Sequence, residues 1–217
     1  MTRKTSPAYR ASKEETIPIN KLHPFSNHPF HIRHDLEFSE LVDSISESGI
    51  ITPIIVRPKV GVGYEVISGH RRWEACKELG IESIPARVEY IDDDEATILM
   101  VNSNIQREHV LPSEKAFAYR MKLEAIKHQG RATSGQVGPK LAQRSNIIVA
   151  TQNGESVKQI QRYIRLTYLI PEFLEKMDKG EIALSVGVEL SFLDESSQRE
   201  VLEQCEMNDC TPSYSQA

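Results

Sequence analysis

Cysteine is scarce in this chain of 217 residues: Cys76, Cys205 and Cys210 form an odd, unpatterned set. Four ligands at finger-like spacing are absent, which excludes a structural zinc module, and reduced cytosolic thiols are expected instead. Long apolar runs are missing too. No stretch approaches the length of a membrane span, and the opening MTRKTSPAYR has no apolar signal-like core, so a membrane protein is not expected. There is no internal repeat and no low-complexity tract. Net positive charge is lacking as well: the formal balance is −5, which by itself argues against non-specific binding to nucleic acid.

The distribution of charge says more than its total. Residues 1–106 carry 12 Lys and Arg against 16 Asp and Glu, residues 107–180 carry 13 against 7, and residues 181–217 carry 1 against 8. A basic middle between acidic flanks places any polyanion contact in the middle. Hydrophobic residues at 39% and charged residues at 26% are ordinary for a soluble globular protein of one large or two small domains.

Periodicity divides the chain. Residues 1–16 are polar and read as a flexible arm. In FSELVDSISESG, Phe38, Leu41, Val42 and Ile45 recur at helical spacing before Gly49. IITPIIVRP and YEVIS read as strands around a Gly61–Val62–Gly63 turn, His70 to Leu79 as a helix, and IPARVEY as a further strand. Asp92, Asp93 and Asp94 then cap a helix over ATILMVNSN. Mixed helices and short strands predict a small α+β domain over residues 17–108. The rest reads as all helix. SEKAFAYRMKLEAIKHQG ends at Gly130, GRATSGQVG is a mobile linker, and two helices span Lys140–Asn153 and Ser156–Leu169. PEFLEKMDKG, LSVGVELSFLDE and SSQREVLEQCEMN follow as helices, giving a helical domain over 109–190 and a C-terminal helical segment over 191–217. Thr211–Pro212 opens a helix that the chain does not complete, so a truncated product is expected.

Two places carry chemistry. In ISGHRRWEACKELG, Arg71 and Arg72 fall in the first turn of a helix, where the dipole disfavours cations. A phosphate held by the free backbone N–H groups after Gly69 would make both arginines favourable. The alternative is that both side chains bend away to pair with Glu74 or Glu78. Asn104 and Arg107 in NSNIQRE and Arg33 in NHPFHIR are further candidates. In GESVKQIQRYIRLTYLIP, Ser156 and Gln159 make a capping box after an Asn153–Gly154 turn. Val157, Ile160, Ile164 and Tyr168 share one arc of the helix, and Lys158, Gln161, Arg162 and Arg165 share the next. A basic, amide-bearing stripe on the second helix of a helix-turn-helix is suited to reading base edges, against the alternative of an ordinary solvated face.

The combination resembles the ParB family of DNA-partition proteins, in order, from about residue 17 to about residue 190. NHPFHIR is similar to the family's N-P-x-Q-P-R box, with His31 in place of glutamine. YEVISGHRRWEACKELGIESIPARV resembles its G-E-R-R box, and NSNIQREHVLPSEKAFAY its E-N-x-Q-R-E-x-L box. Arg162, Arg165, Leu166, Leu169 and Pro171 match its R-x-x-L-x-x-L-P pattern. The resemblance implies a ParB/sulfiredoxin-like N-terminal domain that binds CTP with Mg²⁺, the triphosphate held by Arg33, Gly69, Arg71, Arg72, Asn104 and Arg107. It also implies a double-stranded DNA site read from Ser156, Lys158, Gln159, Gln161, Arg162 and Arg165. A homodimer that closes as a clamp on DNA, a nucleoid-associated cytoplasmic location and a ParA-type ATPase partner follow, the last met by Arg3, Lys4 and Arg10. His70 and Ser103 occupy the family's two metal-side glutamate positions. Neither an imidazole nor a hydroxyl replaces a carboxylate's charge, which weighs against Mg²⁺ and against more than a weak CTPase. Gly69–His70–Arg71 also resembles the phosphate loop of sulfiredoxin, but Gly69 stands where its reactive cysteine would be, so reductase chemistry fails and a His70-to-phosphate hydrogen bond is what carries over. Two rivals stay open: a nucleotide-dependent kinase or nuclease using Glu74, Glu108 or Asp92, and a plain helix-turn-helix repressor.

Overall fold

The computed structural model describes residues 12–61, 63–107, 109–134, 139–208 and 210–212, and of 131–134 and 139–144 the backbone alone. The chain divides into two compact units, residues 1–103 and 104–217.

The first unit is a five-stranded mixed sheet of order β1-β5-β3-β4-β2 with helices packed on it. Its strands are β1 (Lys13–Pro18), β2 (Leu22–Pro24), β3 (Ile54–Lys59), β4 (Gly63–Ser68) and β5 (Ser83–Val88). Its helices are α1 (Leu36–Ser48), α2 (His70–Glu78) and α3 (Asp93–Ile105), whose last residues pass into the second unit. The α+β class expected from the sequence is the class found. β3 and β4 are an antiparallel hairpin, β5 runs parallel to β3, and β1 closes the edge antiparallel to β5 with Ile17 opposite Ile84. Ile54, Val56, Val66, Ile84 and Ala86 are fully buried, and Phe38 and Ile45 of α1 and Trp73 and Cys76 of α2 pack over them. Beneath this core lies an ionic network. The buried Glu65 carboxylate accepts from Arg57 Nε at 2.7 Å and Lys59 Nζ at 2.6 Å, and Arg57 reaches Asp93 of α3 at 2.6 Å.

Two elements depart from the sequence expectation here. Residues 13–16, read as part of a flexible arm, belong to β1, and LHP forms β2 parallel to β4. Residues 1–11, with Arg3, Lys4 and Arg10, lie outside the described residues.

The second unit is helical: α4 (Pro112–Ser134), α5 (Pro139–Asn153), α6 (Val157–Arg165), α7 (Pro171–Asp178), α8 (Leu184–Leu190) and α9 (Glu195–Met207). Leu166, Leu169, Phe173, Met177, Val186, Leu190 and Leu202 form its core. α4 does not stop at Gly130 as expected but continues to Ser134; a glycine costs a helix interior about 1 kcal/mol, which a long packed helix absorbs. Of the expected linker, residues 135–138 lie outside the described residues, as do 213–217. α6 ends at Arg165, and Leu166–Tyr168 tighten into a 3₁₀ turn, so Tyr168 is 56% exposed rather than aligned with the apolar arc.

Candidate functional site

β4 delivers the chain to Gly69, which adopts φ 97° and ψ 25° and starts α2. The left-handed backbone favours glycine, and a Cβ there would stand 2.7 Å from Ile54 Cγ2. The first intrahelical bond runs from Trp73 N to Gly69 O at 3.0 Å. The N–H groups of His70, Arg71 and Arg72 therefore precede the helical ladder, and no side chain caps them from Gly69.

Arg71 and Arg72 do not act as a pair. Arg71 donates to Asp35 Oδ1 at 3.0 Å and Glu37 Oε2 at 3.3 Å at the start of α1, with its guanidinium 5.9 Å from the Phe38 ring. Arg72 donates to the carbonyls of Thr52 and Pro53, the latter at 3.0 Å, and burial pushes its guanidinium down from the usual arginine value. The helix dipole that disfavours cations is thus answered from within the protein, by two carboxylates and two carbonyl dipoles. The expected alternative of pairing with Glu74 or Glu78 is not what is found: Glu74 pairs with Lys77 at 2.8 Å and Glu78 with His34 at 3.1 Å.

His70 is 4% exposed, its ring 4.0 Å from the His28 ring and 6.5 Å from that of Trp73. Arg33 is exposed on the segment leading to α1. Ser103 donates to the Met100 carbonyl at 2.9 Å, within its own helix. Asn104, 2% exposed, and Arg107 lie in the second unit, where Asn104 O accepts from Arg107 N at 3.1 Å. The uncapped turn at α2 and the adjacent Arg71 suit a nucleotide's phosphate oxygens. The residues fit Mg²⁺ poorly: His70 is packed among rings, Ser103 is turned onto its helix, and no three His, Cys, Asp or Glu side chains converge among the described residues.

In the helical unit, α5 stops at Asn153, Gly154 takes φ 66°, and Ser156 caps α6 by accepting from Gln159 N at 3.1 Å. Ile160 is fully buried, whereas Lys158 and Gln161 are exposed and Arg162 is half-buried. α5, the turn and α6 thus make a helix-turn-helix whose second helix presents a polar, cationic stripe. Arg165 departs from that stripe. Its Nε donates to Ser191 Oγ at 3.1 Å and its Nη2 to Ser191 O at 2.7 Å, with the guanidinium stacked between Phe192 at 4.1 Å and Tyr168 at 4.7 Å.

Residues 4–105 match the family model of the ParB N-terminal domain. Beyond that domain, the chain is 31% identical over 191 residues to the chromosome-partitioning protein Spo0J of Thermus thermophilus, covering 86% of this chain and 64% of that protein. The chain belongs to the ParB family. It is also 38% identical over 117 residues to a nucleoid occlusion protein of a Geobacillus species, covering 53% of this chain and 42% of that one. The chain therefore spans less than two thirds of the length of these relatives. Among solved structures, the C-terminally truncated chromosome-partitioning protein ParB of Caulobacter crescentus, complexed to the centromeric parS site, shares the fold. Its TM-score is 0.53 at 20% identity, with 91% of this chain and 94% of that one covered. A pNOB8-like ParB N-domain gives 0.57 at 16% identity, over 90% and 84%.

Some residues that shape these ParB-family elements escaped sequence reasoning. Asp35 and Glu37 are among them, because nothing local ties them to Arg71. Gln198 is 1% exposed; it accepts from Ile170 N at 2.9 Å and donates to Tyr168 O and Leu193 O at 3.0 Å each. It thereby satisfies the backbone where α6 hands over to α7. Lys122 is fully buried, 3.4 Å from Asn153 Oδ1 at the end of α5, a lysine that an amphipathic reading of α4 treats as surface.

Proposed function

We propose that the protein is a ParB-type partition factor: the helical unit binds a specific duplex DNA site, and the N-terminal unit binds CTP as a switch on that binding. Support for the DNA half comes from one observation, the Ser156-capped α6 with Ile160 buried, Lys158 and Gln161 exposed and Arg162 half-buried. Arginine and glutamine make paired hydrogen bonds to guanine and adenine edges. The kinship with chromosome-partitioning proteins raises that reading above a solvated helix. The nucleotide half rests on the family resemblance and on the uncapped first turn of α2 beside Arg71. A homodimer and a ParA-type ATPase partner belong to the same proposal. Among the described residues no helix is long and apolar enough to cross a membrane.

A second reading, a helix-turn-helix repressor whose N-terminal unit takes no nucleotide, is favoured by Arg72, whose guanidinium is committed to the Thr52 and Pro53 carbonyls. The enzyme reading has less support: Asp92 caps α3 by accepting from Glu95 N at 2.8 Å, and Glu74 is paired with Lys77. Titrating CTP, ATP and GTP with and without Mg²⁺, then measuring retention on a duplex site selected from a random pool, separates the readings. The switch predicts CTP-selective binding, a change in DNA retention, and loss of both in Arg71→Ala. CTP-indifferent DNA binding in wild type and Arg71→Ala alike establishes the repressor. DNA affinity should fall steeply with salt in either case.

A further inference from the structure

The C-terminus of α9 brings two thiols together. α9 ends at Met207 with Asn208 as its cap, and the N–H of Cys210 returns to the carbonyl of Cys205 at 3.0 Å. This is the six-to-one bond of a Schellman turn, in which the side chain three from the helix end and the one two beyond the cap meet, usually as a hydrophobic contact. Here both positions are cysteine. Both thiols are free, Cys205 is buried and Cys210 is exposed. They line one wall of an open groove of about 710 Å³, with Leu193, Val201 and Pro212 among the other walls.

We propose that Cys205 and Cys210 are a reversible oxidation site, closed to an internal disulfide by low-molecular-weight disulfides and reopened by thiols. A turn that closes on a six-to-one bond holds its ends within the span that a disulfide bridges. The exposed Cys210 thiolate attacks one sulfur of glutathione disulfide, forming a mixed disulfide and expelling one glutathione thiolate. The Cys205 thiolate then attacks the Cys210 sulfur and expels the second. Two protein thiols are oxidised, one glutathione disulfide is reduced, and the two protons released end on the two glutathiones. Burial, then the facing Cys210 thiol, push the Cys205 thiol up, which leaves Cys210 to react first and makes ring closure faster at higher pH. The closed bond would pin the end of a helix whose Leu202 belongs to the core and whose Gln198 holds the start of α7.

The experiment equilibrates the full chain in glutathione buffers of graded ratio, blocks remaining thiols by alkylation and maps the peptides by mass. The expected result is an internal Cys205–Cys210 link that loses the mass of two hydrogens, exceeds the Cys210–glutathione adduct by about tenfold or more, and reverses with dithiothreitol. Cys76, fully buried and with its thiol pushed up by burial, stays a free thiol and is alkylated once the quenched protein is denatured. In Cys205→Ser the same buffer leaves Cys210 as the glutathione adduct. The inference is overturned if wild type accumulates that adduct or a covalent dimer instead, or if Cys76 reacts as fast as the pair. The wild-type map decides this without any variant, so a misfolded substitution does not blunt the test.

Discussion

Replacing Arg165 by alanine should cost fold stability, and DNA contact only as a consequence. The side chain makes two charge-assisted hydrogen bonds to Ser191 and stacks on two rings at 4.1 and 4.7 Å. A hydrogen bond from a charged group is worth about 1.5–3 kcal/mol where buried, and because this group is half-buried about 1 kcal/mol each is the safer figure. Two cation–π contacts add about 0.5 kcal/mol each at such sites. Ser191 is itself 1% exposed, so its carbonyl loses a donor that water does not easily replace. The total is about 3 kcal/mol, which in a unit of about 100 residues lowers Tm by roughly 10 °C or more. Thermal melts by circular dichroism, read on the transition of the helical unit because two units need not unfold together, check this. Arg165→Lys should not rescue, since an ammonium neither forks nor stacks as a guanidinium does. Arg162→Ala is the contrast: its melt stays near wild type while affinity for the selected duplex falls about tenfold, the lower end of about 1–3 kcal/mol for a base contact. If Arg165→Ala melts with wild type yet loses DNA as Arg162→Ala does, the Ser191 contact is not what Arg165 is for, and the side chain reads DNA.

Two pH dependences follow from buried groups. Burial pushes the Glu65 carboxyl up, but hydrogen bonds and charge from Lys59 and Arg57 outweigh it and hold the group below the usual carboxylate value. Its stabilisation is therefore complete above the unfolded pKa of about 4.3 and is lost as pH falls through the lower folded value. Glu65→Gln should cost about 3 kcal/mol at neutral pH by leaving Arg57 and Lys59 short of charge. Urea midpoints should converge with wild type in acid; an equal gap at both pH values refutes the account. Lys122 behaves in the opposite range: burial lowers its pKa to about 8, below about 10.4 in the unfolded chain. Between those values the unfolded chain binds more protons, so stability rises with pH by up to about 3 kcal/mol. The rise should be absent from Lys122→Met; parallel pH profiles for the two proteins between neutral pH and 10 would contradict it.

Where local chemistry decides an element, the sequence was enough. Asp35 caps α1 by accepting from Phe38 N at 2.9 Å, Ser156 caps α6, and Gly49 and Gly154 stop helices with φ near 70°; all are readable from residue type and spacing. β1 was not, because KEETIP buries only Ile17 fully and becomes a strand by bonding to β5, far along the chain. The contact of Arg165 with Ser191 was not legible either, since Ser191 caps the end of α8, 26 residues along the chain. The separation of Arg71 from Arg72 was legible in principle. Consecutive residues on a helix point about 100° apart, so one side chain could meet the start of α1 while its neighbour met the residues just before β3.

That geometry sharpens what a triphosphate at α2 has to do. Arg72 can join it only by giving up two backbone carbonyls, which are then left short of a donor. Arg71 is easier to recruit. The Asp35 oxygen it binds also accepts from Phe38 N, so Asp35 keeps a partner when the arginine leaves, and Glu37 is exposed enough to be solvated. The same exchange brings phosphate charge close to both acids, so ligand entry favours movement of the start of α1 away from α2. A ligand shifts such an equilibrium only by its difference in affinity for the two arrangements. Asp35→Asn should therefore raise CTP affinity, because it weakens the competing ion pair while its amide oxygen can still cap α1. A fall in affinity would mean that Asp35 positions Arg71 for the nucleotide rather than competing with it.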